Sequence, residues 1–267
     1  MSDVSIPAST TKGPAIPYRE RRGVIFASQC LFIVSIFTVW EFASGRLISP
    51  FFVGSPSEIF SILWEWLKTG FIWPHLGYTM AEACLGFLIG SGLAIVIGLI
   101  LGSDRYLYDL FDPFISALYS IPKIALAPVL IIWFGLGMPS KIVLAAMIVF
   151  FLVFHATVAG LRNVDLDLID QVRIMGGKRR DVLTKIVVPS VLLSVLNGLR
   201  ISFPFALHGA IVGEIIASQA GLGYMLEYSR GRYDVSMMYA SLLLLMFVSV
   251  SIVTAIDAIE KIIPKPE

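Results

Sequence analysis

From Cys84 to Gly102 the chain reads CLGFLIGSGLAIVIGLILG, with no charged or amide side chain. A helix needs about 20 such residues to cross the hydrocarbon core of a bilayer, where each backbone polar group must be satisfied within its own segment. Similar runs recur along the chain, and they predict six membrane spans near Val24–Ala43, Leu76–Leu101, Ile121–Leu136, Lys141–Leu161, Ile186–Ala217 and Ser236–Ile256. The third is short and is broken by Pro122 and Pro128. Composition agrees: 57% of residues are hydrophobic and 15% charged, where soluble domains carry about a quarter charged. A net charge of +1 leaves no basic field for nucleic acid. Cys30 and Cys84 sit in apolar runs and read as small hydrophobes.

The cations set an orientation, because cytoplasmic loops of membrane proteins are enriched in Lys and Arg. With the N-terminus inside, Arg19, Arg21, Arg22, Arg105, Arg162 and the cluster from Arg173 to Lys185 all fall in the cytoplasm. Arg46, Lys68, Lys141, Arg230 and Arg232 fall outside. Six spans then return the C-terminus to the cytoplasm. The expected organisation is a disordered cytoplasmic tail (1–23), a peripheral first span (24–43) and a periplasmic segment with an interfacial helix (44–75). A five-span core (76–257) with a cytoplasmic hairpin (164–185) and a short cytoplasmic tail (258–267) follow.

Two outer segments have helical patterning. Ser55-Pro56-Ser57-Glu58 supplies a cap, a proline at the first position and an acid at the third, and Ile59, Ile62, Leu63, Trp66 and Leu67 follow at helical spacing. Gly221–Arg232 reads as a short re-entrant or interfacial element. Gly86/Gly90, Gly98/Gly102 and Gly209/Gly213 are small-xxx-small pairs that let helices approach closely. They mark either an interface between moving helices or packing within the chain.

No phosphate-binding loop is present, since Gly177-Lys178 is followed by Arg179 without the earlier glycine. His75, His155 and His208 are scattered over different segments, and no protease or hydrolase motif accompanies them. No cofactor or metal site is expected in this chain.

The stretch DQVRIMGGKRRDVLTKIVVP, Asp170 to Pro189, is the most charged part of the chain. Leu166, Ile169, Val172 and Ile174 line one side of a short helix, and Asp165, Asp167 and Asp170 fall in its first turns, where the helix dipole favours acids. Gly176-Gly177 permits a break with positive φ. Lys178, Arg179 and Arg180 then surround the start of a second helix, with Asp181 placed to cap it, and Pro189 marks or kinks the start of the fifth span. Either this is a solvated loop or it is a hairpin that docks on a partner; the amphipathic pattern favours docking.

The segment resembles the cytoplasmic "EAA" loop of ABC-transporter permeases. The acid falls on Asp170, the glycine on Gly176, the isoleucine on Ile186 and the proline on Pro189, while Gln171 and Val172 stand in place of the two alanines and Val188 in place of leucine. VGSPSEI at Val53, DPFISALYSIPKIALAPVLIIWFGLG at Asp112, AGLRNVD at Ala159, LNGLR at Leu196 and GLGYML at Gly221 are similar to the nitrate/sulfonate/taurine branch of that family. The resemblance implies an all-α, MetI-like type I importer fold. It also implies a homodimeric pore in the bacterial inner membrane, two ATPase subunits that hold ATP and Mg, and a periplasmic or lipid-anchored binding protein. Asp170, Gln171, Val172, Arg173, Gly176, Gly177, Arg179, Arg180, Ile186 and Pro189 would then couple to the ATPase. The ATP chemistry would lie in the partner, so this chain would not itself be an enzyme.

Ionisable groups inside a membrane face protein or water. Glu82, Lys123, Asn197, Arg200, His208 and Glu214 are therefore the candidates for a translocation pathway. Arg200 and Lys123 would complement an anion such as a sulfonate, nitrate, taurine or aromatic carboxylate; Arg200 would alternatively pair with Glu82 or another acid and hold helices together. The resemblance also leaves open a vitamin or pyrimidine precursor as substrate. A channel or secondary carrier without an ATPase is the remaining reading.

Overall fold

A computed structural model describes residues 18–262. The expected tails lie partly outside the described residues, at 1–17 and 263–267, and so does the Arg179 side chain. Among the described residues the structure is helical, without a strand. The chain divides into two units after Glu58.

In the first unit, α1 (Tyr18–Ala43) is largely apolar from Gly23 onward and mostly exposed over that stretch, as a helix facing lipid should be. After a tight turn come α2 (Pro50–Val53) and the start of α3 (Pro56–Thr69). The Glu41 carboxylate accepts from the Ser57 N–H at 3.0 Å and from its hydroxyl at 2.8 Å. Ser55 caps α3 as its sequence predicts, accepting from the Glu58 N–H at 3.4 Å.

The second unit begins at Ile59. It contains the rest of α3, then α4 (Ile72–Ser103) and α5 (Arg105–Ser120). A 3-10 turn (Lys123–Leu126) leads into α6 (Ala127–Phe134), and α7 (Met138–Arg162) follows. Next come α8 (Leu166–Ile174), α9 (Arg179–Val182), a π turn (Leu183–Val187), α10 (Val188–Ile216), α11 (Leu222–Gly231) and α12 (Val235–Ile262). Among the described residues, five helical stretches are long and apolar enough to span: Gly23–Ala43, Ile72–Ser103, Met138–Arg162, Arg180–Ile216 and Val235–Ile256.

The third expected span, Ile121–Leu136, needs correction. It is the second arm of a pair, Arg105–Ser120 and Lys123–Phe134, bent by 79°. Pro122 makes the bend, whereas Pro128 lies in the first turn of α6, where its missing N–H has no intrahelical partner to lose. Asp104 caps α5, accepting from the Tyr106 N–H at 2.8 Å. Arg162 at the end of α7 lies 3.6 Å over the Tyr108 ring of α5.

The core is a three-helix seam with α7 between α4 and α10. Phe154, Val149 and Val153 of α7 meet Ala83 and Ala94 of α4 and Ala206, Leu207 and Ala210 of α10. The paired glycines make this seam possible. A Cβ on Gly86 would lie 2.6 Å from Ala145 Cβ, on Gly98 3.0 Å from Thr157 Cβ, and on Gly209 2.9 Å from Ala145 Cα. All three contacts are to α7, so these pairs serve packing within the chain. Gly92, one face round, meets nothing within 4 Å.

Candidate functional site

One end of the seam carries the charged hairpin. The Asp165 carboxylate starts α8 by accepting from the Asp167 N–H at 2.8 Å. The helix ends at Gly176, whose φ of +82° is left-handed. The Gly177 N–H reaches the Val172 carbonyl at 2.8 Å and the Gly176 N–H reaches that of Arg173 at 3.0 Å, the two bonds of a Schellman ending. The second glycine is needed for space, since a Cβ there would sit 2.7 Å from the Val172 oxygen. Asp181 closes the next helix by accepting from the Lys178 N–H at 2.9 Å and pairing with Lys185 at 3.0 Å. Asp170 pairs with Arg173 at 3.5 Å.

From Arg180 to Ile216 the backbone is helical for 37 residues. Pro189 has no N–H to offer the Lys185 carbonyl, and the widened π turn falls on the residues just before it. Ile186 is buried, whereas Ile174 and Met175 at the hairpin tip are each 85% exposed. Gln171, Arg173 and Arg180 are exposed around them.

At the far end of the seam lies a cluster that the sequence reading divided among separate segments. Glu82 of α4, Lys141 of α7 and Glu214 of α10 are 2%, 1% and 1% exposed. Glu214 accepts from the Thr79 hydroxyl at 2.7 Å and from the Gly223 N–H at 2.7 Å. The Leu222 N–H donates to Thr79 Oγ1 at 2.8 Å, and the Gly221 N–H to His75 Nδ1 at 3.1 Å. Glu82 lies within electrostatic reach of Glu214 and Lys141, and one of its carboxyl oxygens is buried without a hydrogen-bond partner. The Lys141 ammonium donates to the carbonyls of Leu136 and of Gly137, the latter at 3.0 Å, and acts electrostatically on both acids.

One expectation changes here: Lys141 is not a loop cation but is buried in the first turn of α7. Glu82 and Glu214, candidates for the pathway, are enclosed by protein. A signal was present: a cation in the first turn of α7 opposes the helix dipole and needs acids nearby. Thr79 and His75 carried no such signal. On α11 itself, Arg230 Nε donates to Glu227 at 2.7 Å, which holds the Glu227 carboxyl below its ordinary range.

The remaining candidates lie between the two ends. On α10, Asn197, Arg200 and His208 point away from the α7 seam and are exposed, while Gly198, Ser202 and Gly209 point into it. His208 borders a recess of about 240 Å³ against Val250 and Thr254 of α12. Lys123 sits at the α5–α6 bend, its ammonium 4.3 Å from the Tyr119 ring centroid and 4.6 Å from that of Phe151. His155 packs edge-on against the same tyrosine at 5.0 Å.

The model of the family described as binding-protein-dependent transport system inner membrane component matches residues 90–265. The chain belongs to that family. The permease is 36% identical over 186 residues to a probable ABC transporter permease protein of Haemophilus influenzae, covering 70% of this chain and 76% of that one. It is 31% identical over 229 residues to a putative aliphatic sulfonates transport permease protein of Bacillus subtilis, covering 85% and 82%. It is 30% identical over 217 residues to a riboflavin transport system permease protein of Chloroflexus aurantiacus, covering 81% of each. Among solved structures, an inward-facing MetNI methionine ABC transporter chain superposes with a TM-score of 0.57 at 22% identity, covering 75% of the permease and 97% of that chain. The fold is therefore MetI-like, and the permease is a transmembrane subunit of an ABC importer.

Proposed function

We propose that the permease is the translocation subunit of a two-copy importer in the bacterial inner membrane, driven by separate ATPase subunits that grip the α8–α9 hairpin. The hairpin geometry carries this reading. Two exposed apolar side chains, Ile174 and Met175, project from a Schellman turn, and the segment after that turn runs without a break into α10. A push on the tip reaches the membrane-spanning rod with no flexible joint between them. The hairpin end is then cytoplasmic, as the Lys and Arg clustered there require. ATP and Mg belong to the partner, and a binding protein delivers substrate at the far end.

The exposed face of α10, with Asn197, Arg200 and His208, forms the pathway, and Lys123 adds a cation at the bend. The substrate is a small organic or inorganic anion of the sulfonate, taurine, nitrate or aromatic carboxylate kind. The sulfonate-named relatives and the positive charges of Arg200 and Lys123 support that class. The riboflavin-named relative favours a second reading, a vitamin or pyrimidine precursor. Co-purification with the ATPase subunit tests the coupling. Ile174→Glu with Met175→Glu should release the ATPase and abolish uptake while the permease still folds. Normal uptake by a Gly176→Asp permease would sink the reading. Arg200→Ala tests the pathway: transport affinity should fall at least several-fold with assembly intact, and unchanged affinity removes Arg200 from it.

A further inference from the structure

We propose that Glu214 of α10, with Thr79 and His75 of α4, forms a latch that ties α11 to the far ends of α4 and α10, so that a displacement of the hairpin, carried by these packed helices, is delivered to α11. This rests on the reading that an ATPase moves the hairpin. The α10 helix has 29 residues, roughly 43 Å at 1.5 Å per residue. Its last turn carries Glu214. Three side chains take three consecutive backbone N–H groups at the start of α11: His75 that of Gly221, Thr79 that of Leu222, and Glu214 that of Gly223. These are N–H groups that the helix itself leaves without partners, and the Glu214 carboxylate meets the positive end of the α11 dipole.

The fit is close enough to specify the sequence around it. Gly221 has φ +113°, and any Cβ there would run into the Glu214 carboxylate. A Cβ on Gly223 would lie 2.5 Å from the Ile211 carbonyl oxygen and 2.8 Å from Glu214 Cβ. A buried carboxylate is expensive in a membrane protein, and an apolar side chain would also fill this space. What the carboxylate and hydroxyl add is direction: Glu214 accepts from Gly223 at 2.7 Å, Thr79 accepts from Leu222 at 2.8 Å, and the Thr79 hydroxyl joins α4 to Glu214 at 2.7 Å, so together they tolerate little rotation of α11 against α4 and α10. Without them only residues 217–220 would join α11 to α10, and α11 would slide on its apolar contacts. With them α11 moves together with the ends of α4 and α10, and presents Tyr228, Arg230 and Arg232 on its exposed side.

The test uses the whole transporter in lipid vesicles, with Cys30 and Cys84 replaced by serine. Nitroxide labels at Tyr228→Cys report on α11, and labels at Leu193→Cys report on α10 in a separate sample. Distances between the two copies are read by double electron–electron resonance, with and without ATP and vanadate. In the parent both distances should shift with nucleotide. In Thr79→Val and Glu214→Gln backgrounds the 193 distance should still shift, while the 228 shift falls by at least half or broadens. Thr79→Ser, which keeps the hydroxyl, should restore it. If Glu214→Gln does not assemble, the Thr79→Val and Thr79→Ser pair decides alone. A 228 shift of parental size in Thr79→Val overturns the latch. A 193 distance that ignores nucleotide in the parent overturns instead the coupling reading beneath it.

Discussion

Gly90 and Gly92 stand two residues apart on α4 and meet opposite surroundings. A Cβ on Gly90 would lie 2.9 Å from Ala146 Cα, while one on Gly92 would meet nothing within 4 Å. Gly90→Ala should therefore destabilise the permease by about 1–3 kcal/mol through overpacking. Gly92→Ala should be neutral or stabilising by up to about 1 kcal/mol, the helix-propensity difference. Thermal unfolding in detergent compares them, and equal shifts would refute the seam. Lys141 poses the reverse case. It is 1% exposed, beside two buried acids, and Lys141→Met leaves both without their cation. A loss of about 3 kcal/mol or more is expected in the same measurement, and a variant as stable as the parent would show that the cluster does not depend on its cation. The spacing of the glycines was legible in the sequence. The helix they pack against was not, because small-xxx-small spacing marks a face and names no partner.

At the scale of elements, the hairpin was the most readable part. Its acids, glycines and capping Asp181 act within a few residues of one another, and local hydrogen bonding settles their geometry. Gly176→Ala should strain the turn by about 1–2 kcal/mol, since a side chain in the left-handed region costs that much. Uptake should drop while the spans stay folded by circular dichroism; full uptake would show that the turn tolerates a Cβ. The α5 helix was missed for a physical reason. Leu107, Leu110, Phe111, Phe114, Ile115 and Leu118 have helical spacing, but Asp109, Asp112 and Pro113 lower the mean hydropathy below that of a span. Amphipathic patterning between two spans is easily taken for a loop, and the 79° bend that joins α5 to α6 is visible only in three dimensions.

For the whole molecule, the proposed pathway predicts where water goes. A thiol introduced by Asn197→Cys, in a permease without its own cysteines, should react with a charged, membrane-impermeant reagent in the assembled transporter. One introduced by Leu88→Cys, on an exposed apolar face of α4, should not. Equal reactivity, or a silent 197, would place the α10 face against lipid or protein instead. Apolar runs long enough for a bilayer and a glycine turn followed by Pro189 were enough to predict a multi-span membrane protein with a charged hairpin before its fifth span, because each is a property of a short stretch of chain. Only the tertiary structure decided the fate of the charges inside it. Thr79 and Glu214 meet across 135 residues, and whether a carboxylate lines a path or holds a helix depends on which distant backbone groups the fold brings to it.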